Sequence, residues 1–142
     1  MLLSGLPLSD LPWWLLSLVG FIVVLWGASL GSFTTCVVYR VPRGLSLWRQ
    51  ANGSYRSFCP NCHAELQTRD LIPILSWLLQ RGRCRYCGVA IPARYLIIEL
   101  AILTLVLGLF AIFGLTLLFF AASLMIPVLA GLGSFLLFRN RL

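Results

Sequence analysis

At 142 residues, 60% of them hydrophobic, and with a mean hydropathy of +0.94, the chain is too apolar for a soluble domain of its size. Its net charge of +7 comes from 11 arginines against four acids, and nine of those arginines lie between Arg40 and Arg94. They follow no repeating aromatic or helical register, so they read as membrane topology and contact with anionic head groups, with no nucleic-acid partner.

The composition predicts an all-α membrane protein with three transmembrane helices and a small four-cysteine module, zinc-ribbon-like, between the first and the second. Residues 1–12 carry no basic n-region and no small-residue cleavage site follows a short apolar core, so the first span is expected to be retained. That span covers residues 13–38, long enough to cross ~30 Å of hydrocarbon. Inside it Gly27 and Gly31 form a Gly-x-x-x-Gly step, expected to pack against the other helices of the same chain in preference to a dimer. Cys36, in the same span, reads as a small buried residue. Arg40-Val41-Pro42-Arg43 ends the helix, and Asn52-Gly53, between Trp48 and Tyr55, signals a hairpin or loop.

Two Cys-x-x-Cys pairs follow, Cys59/Cys62 and Cys84/Cys87, separated by 21 residues. Each pair puts two thiolates on one tight knuckle, and the separation lets the second knuckle fold back on the first, the spacing of a tetrahedral metal site. Pro60 stiffens the first knuckle, and Gly88 can take the left-handed conformation that aims backbone N–H groups at sulfur. In a reducing compartment such cysteines are metal ligands more often than disulfides. Four thiolates favour structural zinc, with a rubredoxin-like iron centre as the alternative. His63 neighbours Cys62 and reads as an exposed bystander beside a complete tetrad.

Residues 71–79 are apolar but too short to span, and predict an interfacial or re-entrant helix where the module meets the bilayer. Asp70 stands at its start, placed to cap it. The second span covers residues 95–113 and the third 115–138, joined by a turn that is little more than Gly114. Neither the first 12 residues nor that turn carries an arginine, whereas the module and the C-terminal Arg139-Asn140-Arg141 do. The positive-inside rule therefore predicts an extracytoplasmic N-terminus with the module and the C-terminus cytoplasmic. The expected divisions are 1–39, an N-terminal region with the first span; 40–94, the cysteine module with its interfacial helix; and 95–142, a helical hairpin. Glu99 is the one carboxylate inside an apolar span, a functional candidate by default, with Arg94 or Arg40 as its expected partner.

Gly31-Ser32-Phe33 and Val37-Val38-Tyr39-Arg40-Val41-Pro42 resemble the opening motif of the prepilin peptidase/N-methyltransferase family. Cys59-Pro60 with Cys62, the run from Asp70 to Leu78, and Arg81-Gly82-Arg83-Cys84-Arg85-Tyr86-Cys87-Gly88 match the same pattern, completed by Ile91, Arg94-Tyr95 and Glu99. The resemblance covers about residues 27–105. It departs at Thr35, where the family has Asn, and at Leu96, where it has Pro. Family members process type IV prepilins and type II secretion pseudopilins in the bacterial inner membrane. An aspartyl peptidase half cuts the leader, and the cysteine-bearing half is assigned S-adenosylmethionine-dependent methylation of the new N-terminus.

The peptidase half has no counterpart here. It needs two membrane aspartates, one in a Gly-x-Gly-Asp motif, whereas this chain has only Asp10 and Asp70, neither in a span. Gly131-Leu132-Gly133-Ser134 echoes that motif with Ser in the Asp position. The resemblance then implies catalytic roles for Glu99, Arg94 and Arg40. Glu99 would anchor or deprotonate the pilin amine, the alternative being a structural salt bridge. Arg81 and Arg83 would hold an anionic cofactor carboxylate or a phospholipid, with Arg85 beside them. Asp70 is either a cofactor contact or a helix cap. No glycine-rich loop follows a strand, so S-adenosylmethionine rests on the resemblance alone. Partners implied are the lipid bilayer, a pilin-like substrate helix or a larger membrane complex, and a separate aspartyl peptidase. The rival to a methyltransferase is a non-catalytic scaffold subunit; a fragment of a bifunctional enzyme is the third reading.

Overall fold

The computed structural model describes residues 12–48 and 56–139. The Asn52-Gly53 turn lies outside them. Four helices follow in order: α1 (Trp13–Arg40), α2 (Leu75–Leu79), α3 (Arg94–Phe113) and α4 (Leu117–Arg139). Three of them, α1, α3 and α4, are long and apolar enough to cross a membrane, as the sequence predicted. Among the described residues there is no strand; extended pairing is limited to two isolated bridges in the cysteine module.

α1 and α3 stop where the sequence removes the means to continue. Pro42 follows α1 within a 3₁₀ turn, Val41–Arg43, and Gly44 at φ +64 closes that turn in the left-handed conformation. The Leu45 N–H returns to the Arg40 carbonyl at 3.1 Å, so the freed end of α1 is satisfied. α3 ends at Gly114, whose positive φ of 58 turns the chain into α4.

α1 is the central helix. It packs chiefly against α3 and next against α4, whereas α3 and α4, though joined by one tight turn, touch each other less. Small residues make this possible, as expected for helices that have no hydrophobic force between them in lipid. A Cβ on Gly27 would stand 2.9 Å from a Leu103 methyl, and one on Gly31 would stand 3.1 Å from the Glu99 Cα and carbonyl oxygen. The Gly-x-x-x-Gly step is thus used within the chain. On the other side Gly131 of α4 takes the Val37 side chain, in the stretch whose Gly-x-Gly-Ser echoed the peptidase motif. The core is Val23, Leu30, Val106 and Phe119. Among the described residues, a side-chain polar bridge between the long helices runs from the Trp26 indole N–H to the buried Ser123 hydroxyl, 3.1 Å. Most other large apolar side chains face outward, Trp13 at 79% and Leu117 at 84% exposure among them, which only a lipid surround makes favourable.

Candidate metal centre and intramembrane carboxylate

Both knuckles are built to one pattern. In the first, the Cys59 N–H donates to the Ala64 carbonyl and the His63 N–H to the Cys59 carbonyl, at 3.0 and 2.9 Å. In the second, the Cys84 N–H donates to Val89 and the Gly88 N–H to Cys84, both at 2.8 Å. Bridges Phe58–Glu65 and Arg83–Ala90 close the two loops at equivalent positions. The equivalence extends to backbone conformation: Gly88 is left-handed at φ +72, and His63 occupies the matching place at φ +57. A glycine suits that position; His63 accepts it while its ring stacks on Phe58 at 5.8 Å.

The two loops bring one sulfur each from Cys59, Cys62, Cys84 and Cys87 to within 4.8 Å of one another. Cys59 and Cys87 Sγ are 3.9 Å apart, close to the about 3.8 Å edge of a tetrahedron with 2.3 Å metal–sulfur bonds. Asn61 turns its amide toward Cys87 Sγ at 3.6 Å. The Cys87 thiol is drawn down to about 6, chiefly by the Val89 N–H and then by that amide. Cys59 is also lowered: burial opposes ionisation, but the N–H groups of Cys62 and Asn61 and the Cys84 thiol outweigh it. Cys62 goes the other way, to about 11, because the Ala64 N–H is overcome by burial and by the Cys87 and Cys59 sulfurs. Crowded sulfurs that cannot all ionise alone are what a cation resolves. The donor set and its spacing fit a metal held by four thiolates, with no position left open.

Asp70 ties the module together. It ends a 3₁₀ turn, Thr68–Asp70, and its carboxylate accepts the Gln67 N–H at 3.0 Å, capping that turn; the cap of α2 is Ile74. Arg85 Nε at 3.0 Å and the Tyr86 hydroxyl at 3.2 Å reach it from the second knuckle, and Gln80 from the end of α2. The side chain is 1% exposed and its contacts are all within the protein. Sequence reasoning did not single out Gln80 or Tyr86, since neither residue type marks a hub by itself. Trp77 ties α2 to the second knuckle and the segment leading into α3: its ring lies where a Cβ on Gly82 would fall and its N–H donates to the Ile91 carbonyl at 3.2 Å.

Glu99 is half-buried on α3, opposite Gly31, and its Oε2 accepts the Ile74 N–H at 2.7 Å. The expected arginine partners turn elsewhere. Arg40 Nη1 donates to the Ser46 carbonyl at 2.7 Å, closing the loop after α1. Arg94 lies over the ring of its neighbour Tyr95, 5.5 Å from its centroid. Among the described residues the ion pairs are Arg85–Asp70 and Arg56–Glu65. The reason is local supply: a backbone N–H stands in hydrogen-bond contact, while each arginine has a nearer acceptor or ring. Arg81 and Arg83 are exposed, Arg81 at a left-handed φ of 51. Beside α2 runs a groove of about 410 Å³ between α1 (Ser29, Ser32, Phe33, Cys36) and Leu71 and Pro73, so Cys36 is a lining residue and only half-buried.

These features define a polytopic helical membrane protein carrying, between its first two spans, a four-cysteine module that can hold a metal. Residues 25–113 match the family described as the Bacterial Peptidase A24 N-terminal domain, and the chain belongs to that family. It is similar to the prepilin leader peptidase/N-methyltransferase of Dickeya chrysanthemi, 39% identical over 105 residues, covering 61% of this chain and 35% of that protein. The protein of the same description from Myxococcus xanthus is 41% identical over 92 residues, 65% and 26% of the two chains. That from Vibrio cholerae is 41% identical over 75 residues, 51% and 30%. The chain therefore spans between about a quarter and about a third of the length of these curated relatives. No solved structure matches it.

Proposed function

We propose that the chain performs the methylating part of prepilin processing: transfer of a methyl group to the N-terminal amine of a cleaved pilin or pseudopilin, without peptidase activity of its own. The observation that carries this reading is Glu99, a carboxylate inside a span of a chain in this family. One of its oxygens is fixed by the Ile74 N–H, and the other has no partner among the described residues. A pilin N-terminus arrives as an ammonium on an apolar helix, and it must lose a proton before its lone pair can attack a methyl carbon. Glu99 anchors that ammonium and takes the proton.

S-adenosylmethionine, when bound, supplies the methyl group on a sulfonium, and the bonding pair leaves with sulfur. Arg81 and Arg83 are the residues to hold its carboxylate, being exposed and close in sequence to the second knuckle. Asp70 acts through Arg85, keeping that knuckle in place. Arg40 and Arg94, at the same end of the bundle as the module, lower the cost of a carboxylate within the membrane. The metal is zinc and structural. Residues 1–39, 40–94 and 95–142 form the three parts read from the sequence, in the bacterial inner membrane, with the module and C-terminus cytoplasmic and the N-terminus outside, as the arginine distribution requires. Leader cleavage falls to a separate aspartyl peptidase, because the spans of this chain contain no aspartate.

A second reading, a non-catalytic zinc-stabilised scaffold in a larger membrane complex, is favoured by one observation: Thr35 and Leu96 stand where the family pattern has Asn and Pro. The test is transfer from labelled S-adenosylmethionine to a cleaved pilin-like peptide with a free N-terminal Phe, using metal-loaded protein in nanodiscs. Transfer that is lost in Glu99→Gln supports the enzyme. No transfer from folded, metal-loaded protein sinks it in favour of the scaffold.

A further inference from the structure

Ile74 stands at φ +64 and ψ −55, and the Leu75 N–H donates to the Pro73 carbonyl at 2.6 Å. Together these close a three-residue γ-turn of the rare positive-φ kind. A β-branched residue in that conformation is an outlier that persists only where the surroundings hold it. The holding contact is Glu99 Oε2, 2.7 Å from the Ile74 N–H. The backbone of Glu99 is packed against Gly31, where an added Cβ would stand only 3.1 Å from the Glu99 Cα and carbonyl oxygen. The chain leading into the turn, Leu71 and Pro73, forms one wall of the groove on α1. The opposite wall is a single helical face, Ser29, Ser32, Phe33 and Cys36, spaced three, four and seven residues apart.

We infer that Glu99 is a latch: its bond to the Ile74 N–H keeps residues 71–74 in a strained conformation that narrows this open groove, and losing the bond widens it. The geometry assigns a direction to the movement. The γ-turn relaxes toward negative φ at Ile74, carrying Leu71 and Pro73 away from α1 while α1 and α3 stay packed at Gly31. Glu99 is a positioning residue in this device, and Cys36, inside the groove, is its natural reporter.

The test is the rate at which N-ethylmaleimide modifies Cys36 in full-length, metal-loaded protein in nanodiscs, read on the Cys36 peptide by mass spectrometry. Glu99→Ala removes the latch and is expected to raise that rate roughly tenfold, as befits loss of a hydrogen bond to a charged group. Ile74→Gly keeps the latch and removes the strain, since glycine takes positive φ freely, so its rate is expected to fall below that of the unaltered protein. The second variant also covers the case in which Glu99→Ala does not fold. An unchanged rate in folded Glu99→Ala, or a rate in Ile74→Gly equal to or above the starting one, overturns the latch. No methyl donor or pilin enters the readout, so the latch and the methyl-transfer reading can fail separately.

Discussion

Replacing Asp70 by Ala should loosen the metal module far more than its small size implies. Four donors converge on that carboxylate, and they do not count equally. The Gln80 amide at 3.4 Å is too long to contribute much. Arg85 at 3.0 Å is 37% exposed, so screening limits its pair with Asp70 to about 1 kcal/mol or less. The Gln67 N–H and the Tyr86 hydroxyl lie at 3.0 and 3.2 Å. The Gln67 N–H loses a charged, enclosed acceptor, about 2 kcal/mol for such a bond, whereas Tyr86 is itself exposed and adds little. The total comes to about 3 kcal/mol, which corresponds to a roughly 150-fold greater population of the opened module. The assay is metal release to a chromogenic chelator in excess, where the rate follows that population. Asp70→Ala should release metal on the order of a hundred times faster, and Asp70→Asn, which keeps one acceptor oxygen, should fall between. Release from Asp70→Ala within threefold of the unaltered protein would refute the role of Asp70 as the tie between the knuckles.

Three further outcomes follow from the same geometry. His63→Gly should stabilise the first knuckle by roughly 0.5–1 kcal/mol, and Gly88→Ala should destabilise the second by a similar amount, because both positions are left-handed; chelator resistance of the two variants, compared side by side, checks the opposite signs. Gly31→Val places atoms into a gap already closed at 3.1 Å by the Glu99 backbone, and should cost about 1–3 kcal/mol in the resistance of the bundle to denaturing detergent. The Tyr86 phenol is raised above its usual range, first by loss of hydration and then by its bond to the Asp70 carboxylate. With the folded value above the unfolded one, the stability it contributes is present below about pH 10 and is lost as pH rises through the folded value. A tyrosinate absorbance titration, taken as the difference between the protein and Tyr86→Phe, should therefore place its midpoint above that of an exposed tyrosine.

Much of this was legible in the residues. Span lengths, the Gly27–Gly31 step and the cysteine spacing each report a local physical requirement, and each appears in the structure close to where the sequence puts it. The helix ends differ by a residue or two: Arg40, Arg94 and Arg139 continue their helices past the apolar stretch, and α4 begins at Leu117, two residues later than expected. What the sequence could not show was pairing across the fold. Glu99 reads as a charge in search of a cation, and only the three-dimensional path of residues 71–75 supplies a backbone N–H instead. Ile74 carries no signal at all, since an isoleucine argues against positive φ. Asp70 reads as a cap for the apolar run after it, whereas it caps the turn before it and gathers residues 10 to 16 positions away. His63 looked like an exposed bystander. Its real constraint, a left-handed backbone, becomes readable once the two knuckles are aligned on Gly88.

The claim on which the rest depends is that residues 59–87 are organised by one metal ion. Elemental analysis and X-ray absorption on protein purified in detergent without added metal test it most directly. The account expects one zinc per chain with four sulfur neighbours at about 2.3 Å, and loss of both the metal and the protease resistance of the module in Cys59→Ser/Cys84→Ser. A folded, protease-resistant module that contains no metal, or one whose metal has fewer than four sulfur ligands, would contradict it.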